Sequence, residues 1–277
     1  MMQNYTIVLT IAGSDGSGGA GIQADLKAIA ANNCYGVSVI TAVTAQNTLG
    51  VGSIHEIPPA FIAEQFETIT DDIRIDTVKI GMLGSTKAAE TVAGLIECLD
   101  GVPVVLDTVL RSSSGKTLFE AESMMPMQRL FRLSSLITPN LPEAALLTGR
   151  NKTPATRAGI EAMARELQRQ GARSVLIKGG HGEGGNCEDC LLHEGRFFWY
   201  SNPKIDTVNT HGTGCTLSSA IACGVAKGVP MDEAVASAID YTRKALQAGA
   251  SWRLGRGNGP LEHFPGRKVK ARPGMNR

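Results

Sequence analysis

The run Asn209-Thr210-His211-Gly212-Thr213-Gly214-Cys215-Thr216 stands directly before a stretch carrying Leu217, Ala220, Ile221, Gly224 and Val225. That spacing predicts an apolar helix, and the glycines let successive backbone N–H groups turn into one concavity at its N-terminus. Such a concavity suits phosphate, because first-turn N–H groups lack helical acceptors and the dipole favours negative charge. Phosphoryl transfer depends on donors positioned in this way more than on covalent chemistry. Cys215 falls in the same first turn, where a thiol pKa is ordinarily lowered. A thiolate there could take the proton of an alcohol that attacks the phosphoryl group. A small residue packed inside a helix would look the same, so the cysteine alone leaves both readings open.

A second glycine-rich run, Gly13-Ser14-Asp15-Gly16-Ser17-Gly18-Gly19-Ala20-Gly21, follows an apolar stretch at residues 6–12. Gly16, Gly18 and Gly21 satisfy G-x-G-x-x-G, the spacing of a dinucleotide loop. That fingerprint wants an acid about 20 residues later to hold a ribose hydroxyl. Neither Asp nor Glu occurs between Asp25 and Glu56, and no Arg stands there to hold a 2′-phosphate. An NAD-dependent oxidoreductase is therefore disfavoured, and the Gly-Lys-Ser/Thr ending of a P-loop is missing too. These glycines fit a tight turn with close helix packing, or backbone N–H groups brought near a substrate with Gly18-Gly19 as a hinge.

Alternating elements must position both loops. Apolar runs at 6–12, 37–43, 77–82, 103–107, 135–138 and 174–178 read as strands bounded by Gly, Pro or charge. Ile22, Leu26, Ile29 and Ala30 recur at helical spacing, as do Ile62, Phe66, Ile69 and Ile73. Val92, Leu95, Ile96 and Leu99 mark another helix, and Ile160, Met163, Ala164 and Leu167 another. The alternation predicts an α/β fold, a mostly parallel central sheet with helices on both faces. Residues 188–200 change the pattern and read as an antiparallel edge hairpin around Glu194-Gly195. Two helices are expected after it, near 213–228 and 231–250. No repeat or linker intervenes, which predicts one domain over residues 1–265. In such sheets ligands bind beyond the carboxyl ends of the strands.

With 277 residues, 43% hydrophobic, the chain can bury one large core. The net charge of +1 hides an asymmetry, since residues 251–277 hold seven Lys/Arg and one acid, leaving the rest at −5. This segment reads as a solvated, frayed terminus, with residues 266–277 expected to be a disordered basic tail. No second basic run accompanies it, so no nucleic-acid partner is expected. No stretch approaches the roughly 20 apolar residues of a membrane span. Nor is there a cleavable signal pattern, so a cytoplasmic protein with reduced thiols is expected. Cys187 and Cys190 with His193 nearby could hold zinc, but no second pair completes a site.

Gly212-Thr213-Gly214-Cys215 resembles the anion-hole motif of the ribokinase-like superfamily, whose general base is usually Asp. Cys in that slot resembles the hydroxymethylpyrimidine/phosphomethylpyrimidine kinases of thiamine biosynthesis and a related group of pyridoxal kinases. Three further stretches look like family motifs: Ala12-Gly13-Ser14-Asp15 with the run to Lys27, Lys79-Ile80-Gly81-Met82-Leu83, and Thr138-Pro139-Asn140-Leu141-Pro142-Glu143-Ala144. Lys178-Gly179-Gly180-His181 is a fourth, and the resemblance covers roughly residues 6–250.

The resemblance implies a three-layer α/β/α ribokinase-like fold. It also implies ATP- and Mg²⁺-dependent phosphorylation of 4-amino-5-hydroxymethyl-2-methylpyrimidine and then of its monophosphate, by a homodimer. It implies that Cys215 is the base and that Gly212, Thr213 and Gly214 hold the transferring phosphoryl group through backbone donors. Lys178, Asn140 and Glu143 would meet ATP, Glu143 would reach Mg²⁺ through water, and Asp107 would help position metal or phosphate. Gln46, Asp25, Gly13, Ala20, Met82 and Val109 match substrate-pocket positions. The Gln46 amide offers a donor and an acceptor to an aminopyrimidine edge, whereas Cys-type pyridoxal kinases are associated with residues such as Met there. His181 and His211 flank glycine loops and could touch phosphate or pack. Gly16 departs from the family's usual Pro or Ser, and Arg111-Ser112-Ser113-Ser114-Gly115 departs from its usual Ala-Lys before Ser-Gly. Arg111 and Lys116 are candidates to hold the monophosphate. Pyridoxal phosphorylation, and nucleotide binding without catalysis, remain alternatives.

Overall fold

The computed structural model describes residues 4–110, 125–180 and 185–267. Its elements run β1 (Ile7–Asp15), α1 (Gly21–Ala31), β2 (Tyr35–Asn47), β3 (Gly50–Glu56), α2 (Pro59–Thr70) and β4 (Thr77–Ile80). Next come α3 (Thr86–Glu97), β5 (Val104–Leu106), α4 (Met125–Leu133), β6 (Leu136–Ile137), α5 (Leu141–Leu147) and α6 (Arg157–Arg169). The chain continues through β7 (Val175–Ile177), β8 (Asn186–His193), β9 (Arg196–Pro203), α7 (Thr213–Ala226) and α8 (Met231–Gly249). The strands form one sheet in the order β3-β2-β1-β4-β5-β6-β7-β8-β9. The six from β2 to β7 are mutually parallel, and both edges are antiparallel.

Alternation along the short strands builds two cores. Val104 and Leu106 of β5, like Val175 and Ile177 of β7, face the layer of α2 to α6. Val105 and Leu176 face the layer of α1, α7 and α8. Because helices cover both faces, these strands read as continuous apolar runs. The three-layer fold is as expected from the alternation.

The hairpin at residues 188–200 is present as β8 and β9, closing on Glu194 and Gly195, both at positive φ. That two-residue geometry matches the twist of its strands. A second antiparallel edge, β3 on β2, is not anticipated in the sequence. Its strand Gly50–Glu56 is mostly exposed and lacks an apolar alternation.

The segment beyond α8 corrects the expectation of a frayed terminus from residue 251 onward. Leu261 and His263 are buried, and Asn209 holds the segment by donating to the Gly249 and Trp252 carbonyls. The His211 N–H donates to the Gly259 carbonyl, so this strap runs beside the Cys215 loop. Residues 268–277 lie outside the described residues, as do Arg111, Lys116 and His181.

The switch point is β1: its crossover through α1 leads to β2 on one side, while β4 pairs on the other. The carboxyl ends of β1, β2, β4, β5, β6 and β7 converge with the N-terminus of α7 on one cleft of about 1260 Å³.

Candidate active site

The two glycine loops pack against each other, backbone to backbone. Gly212 has φ +81°, and a Cβ there would lie 1.8 Å from the Gly19 carbonyl oxygen. Gly21 has φ +57°, and a Cβ there would lie 2.3 Å from the Gly13 carbonyl oxygen. No other residue type fits these positions: Gly212 serves the loop-on-loop contact, and Gly21, the last glycine of the G-x-G-x-x-G spacing, closes the first loop on itself. Asp15 organises the first loop: its carboxylate accepts from the N–H groups of Ser17, Gly19 and Ala20 and from the Ser17 hydroxyl. Burial would raise its pKa, but the bonds from His211, Ser17 and Ala20 outweigh burial and hold it far below the usual carboxylate range.

Helix α7 begins at Gly212 without a side-chain cap. Its first i→i−4 bond runs from Thr216 to Gly212, so helix geometry leaves the Gly214 and Cys215 N–H groups without helical acceptors. The Thr213 N–H donates to the Thr210 carbonyl instead, at 3.2 Å. The turn that starts the helix thus engages this N–H, while Thr213 itself lines the cleft with Gly212 and Gly214.

Cys215 lines the cleft, half-buried. Its thiol is pushed up to about 11 by burial, against the opposing pull of Lys79 and an N–H from Gly21. The general expectation of a lowered thiol at a helix N-terminus therefore does not hold for the resting protein. Beneath it, one turn further along α7, Ser219 donates to Asp25 at 2.9 Å. Asp25 also accepts from Lys79 at 2.8 Å and from Thr10 at 2.6 Å. Asp25 and Lys79 are both fully buried. This overturns the placement of Asp25 in the substrate pocket: it lies under the cleft floor, its oxygens engaged by three partners.

Past Cys215 the cleft is charged. Asp107 follows β5 and pairs with Lys178 at 2.7 Å, with Thr138 donating at 3.1 Å. Burial would raise Asp107, but Lys178 and Lys79 win and hold it below the ordinary range. Burial likewise opposes the charge on Lys178, which Asp107 and Glu143 keep raised. The pair touches the anion loop, since a Cβ at Gly214 would lie 3.1 Å from Lys178 Nζ. Asn140 and Glu143 form a reciprocal capping box at α5, with both bonds at 2.9 Å. Burial pushes Glu143 up to about 7, although Lys178 pulls the other way.

At the opposite end, Gly13, Ala20, Gln46, Met82 and Val109 line the same cleft. Gly13 gives Met82 room: a Cβ there would lie 3.3 Å from the Met82 sulfur. Of the anticipated catalytic, anion-hole, substrate and ATP-site residues that are described, the cleft thus gathers all but Asp25. Two residues whose partnership was not anticipated join them. His211 Nε2 lies 2.8 Å from Asp15 Oδ2 and 3.2 Å from the Gln46 amide, and both Asp15 and His211 line the cleft. The sequence did carry a signal, a single acid inside the first glycine loop and a histidine directly before the second. Around Cys187 and Cys190, as elsewhere among the described residues, no cluster of three His, Cys, Asp or Glu occurs.

A family model described as phosphomethylpyrimidine kinase matches residues 15–262. The chain belongs to that family. Among relatives of this phosphomethylpyrimidine kinase family member is the hydroxymethylpyrimidine/phosphomethylpyrimidine kinase of Haemophilus influenzae. It is 43% identical over 268 residues, 95% of this chain and 98% of that protein. A thiamine biosynthesis bifunctional protein of Geobacter sulfurreducens is 45% identical over 258 residues. The chain spans only 52% of that longer protein. Among solved structures, Bacillus subtilis pyridoxal kinase in an ADP complex has a TM-score of 0.84 at 33% identity, covering 94% of this chain and 98% of that one. Phosphomethylpyrimidine kinase from Clostridium difficile has a TM-score of 0.76 at 38% identity, covering 87% and 99%. The fold of this phosphomethylpyrimidine kinase family member is accordingly ribokinase-like.

Proposed function

We infer that the protein phosphorylates 4-amino-5-hydroxymethyl-2-methylpyrimidine from ATP, and then its monophosphate, in thiamine biosynthesis. The observation that carries this is one cleft with three zones in line. A glutamine amide and an apolar wall lie at one end, Cys215 with the uncapped α7 amides in the middle, and the Asp107–Lys178–Glu143 group at the other. A hydroxymethyl oxygen beside Cys215 would attack the γ-phosphorus, the bond to the β-phosphate oxygen would break, and the alcohol proton would pass to the sulfur. The Gly214 and Cys215 N–H groups and Lys178 would hold the oxygens of the moving group. A homodimeric, cytoplasmic enzyme is part of this reading.

The donor set fits Mg²⁺ held by phosphates and water rather than by a protein cage. Asp107 Oδ1 is engaged by Lys178 and Thr138, and the Glu143 oxygens by the α5 cap and neighbouring groups. Mg²⁺ ordinarily keeps several waters and takes one or two carboxylates besides substrate phosphates. Glu143 would reach the ion through water, Asp107 would help position it, and the ion would neutralise charge on the phosphates.

Pyridoxal is the second reading, favoured by the structural likeness to pyridoxal kinase. Turnover of both alcohols with ATP, followed by mass detection of one and two added phosphates, decides between them. Phosphorylated pyrimidine is expected, and Gln46→Met should lower pyrimidine turnover at least tenfold more than any pyridoxal turnover. Absence of phosphorylated pyrimidine beside an active control overturns the inference.

A further inference from the structure

Gln46 sits just past a register shift in β2, and its amide is held on both sides. One terminal atom lies 3.2 Å from His211 Nε2, and the other 3.1 Å from Thr44 Oγ1. Each neighbour has a single proton to place. His211 Nε2 also lies 2.8 Å from Asp15 Oδ2. Asp15 accepts from four other donors and acts as a carboxylate, so the proton between it and His211 belongs to Nε2. That one proton is directed at Asp15, so the Gln46 atom facing Nε2 meets an N–H with no free lone pair. An amide oxygen can share the proton, whereas an amide nitrogen would set two donors against each other. At the other side, the Thr44 hydroxyl proton goes to the Ser14 carbonyl at 2.9 Å. The Gln46 atom that faces Thr44 must then be a donor.

Both neighbours give the same answer: the amide oxygen points to His211 and the amide nitrogen to Thr44. The distances as placed pair nitrogen with His211 and oxygen with Thr44. The two groups are nearly isosteric, and only the proton count separates the orientations. The histidine itself is fixed, because its backbone N–H donates to Gly259 and its ring abuts Gly19, where a Cβ would lie 2.4 Å from Cδ2.

We propose that Asp15 and His211, with Thr44, lock the Gln46 amide in this one orientation and so make it a selector of the substrate's ring edge. Each terminal atom keeps one bonding site for the cleft, an N–H and an oxygen lone pair. A 4-aminopyrimidine presents a donor beside an acceptor; a 4-oxopyrimidine presents the reverse order. With the hydroxymethyl group anchored at Cys215, the ring cannot exchange those groups. A freely turning amide would accept both compounds, and a locked one accepts only the first. His211 is thus a positioning residue for specificity, and this rests on the pyrimidine reading above.

The test compares kcat/KM for 4-amino-5-hydroxymethyl-2-methylpyrimidine with that for its 4-oxo analogue. The wild-type enzyme should favour the amino compound at least about a hundredfold, since a mismatched site leaves buried polar groups unpaired. In His211→Ala that ratio should fall at least tenfold, and His211→Gln, which restores an N–H near the Nε2 position, should recover it. Thr44→Val frees the other side and should also lower the ratio, which keeps the test open if His211→Ala does not fold. An unchanged ratio in a folded, active His211→Ala or Thr44→Val enzyme overturns the lock while leaving the kinase reading intact. Failure of the wild-type enzyme to phosphorylate any pyrimidine overturns both.

Discussion

A thiol pushed up to about 11 by burial is protonated at neutral pH, yet the proposed base must be a thiolate. These two statements yield a pH profile. Activity should follow the thiolate fraction, which rises tenfold per pH unit below the pKa. We therefore expect kcat/KM to climb with a slope near +1 in log units from about pH 7 to pH 9. Cys215→Asp, which places an ordinary carboxylate in the slot, should retain measurable turnover with that slope abolished. Cys215→Ala should lose at least about a hundredfold at any pH. A flat wild-type profile would mean that proton removal from the alcohol is not limited by this thiol. The position of Cys215 was legible because Gly212-Thr213-Gly214 precedes an apolar helix. Its titration was not, because burial depends on how far β1 and the strap of residues 251–265 crowd the helix start. Asp25 was illegible for a related reason. Its place three residues after Ile22 and four before Ile29 puts it on the buried stripe of α1. A charge on such a stripe announces a buried partner more than a ligand.

Among the elements, α5 shows how a cap can also be a sensor. Glu143 closes the box with Asn140 and is buried beside Asp107, and burial pushes its carboxyl up to about 7. The unfolded chain releases that proton near pH 4.5, while the folded chain keeps it until about pH 7. The fold thus binds the extra proton between these values, and stability must fall as pH rises through that window. The loss should be about 3 kcal/mol relative to Glu143→Gln, which keeps an acceptor for the cap without titrating. Urea unfolding of both proteins at pH 4.5, 6 and 7.5 measures it. Parallel curves across the three pH values would show that Glu143 is already ionised in the fold. The box was written in the sequence as Asn140 followed three residues later by Glu143, the signature of a helix start. Its second role could not be read there, since it arises only when β5, β6 and β7 bring Asp107, Asn140 and Lys178 together. Strands with two covered faces were legible as apolar runs. The exposed edge β3 was not, because nothing in Gly50–Glu56 alternates.

Across the whole molecule, the sheet is tied to its α1 and α7 layer by a fully buried ion pair, Asp25 with Lys79. The alternation that sends Val78 and Ile80 into one core sends Lys79 into the other layer. Removing two charges from water is expensive, so the pair adds little net stability, but leaving one partner alone is costly. Thr10 from β1 and Ser219 from α7 complete the shell of Asp25, which joins four elements at the switch point of the sheet. Lys79→Met should therefore destabilise the protein by about 3–5 kcal/mol, because it strands a carboxylate between β4, α1 and α7. Asp25→Leu combined with Lys79→Met should recover much of that loss, since an apolar pair needs no compensation. The two readouts separate a structural pair from a substrate-facing acid. If Asp25 met substrate, the double variant would regain stability but Asp25→Asn alone would cripple binding without unfolding the chain. If the pair holds the sheet to its helices, urea midpoints of the single and double variants will diverge strongly. Equal midpoints for Lys79→Met and the wild type would show that this charge pair does not anchor the floor beneath Cys215.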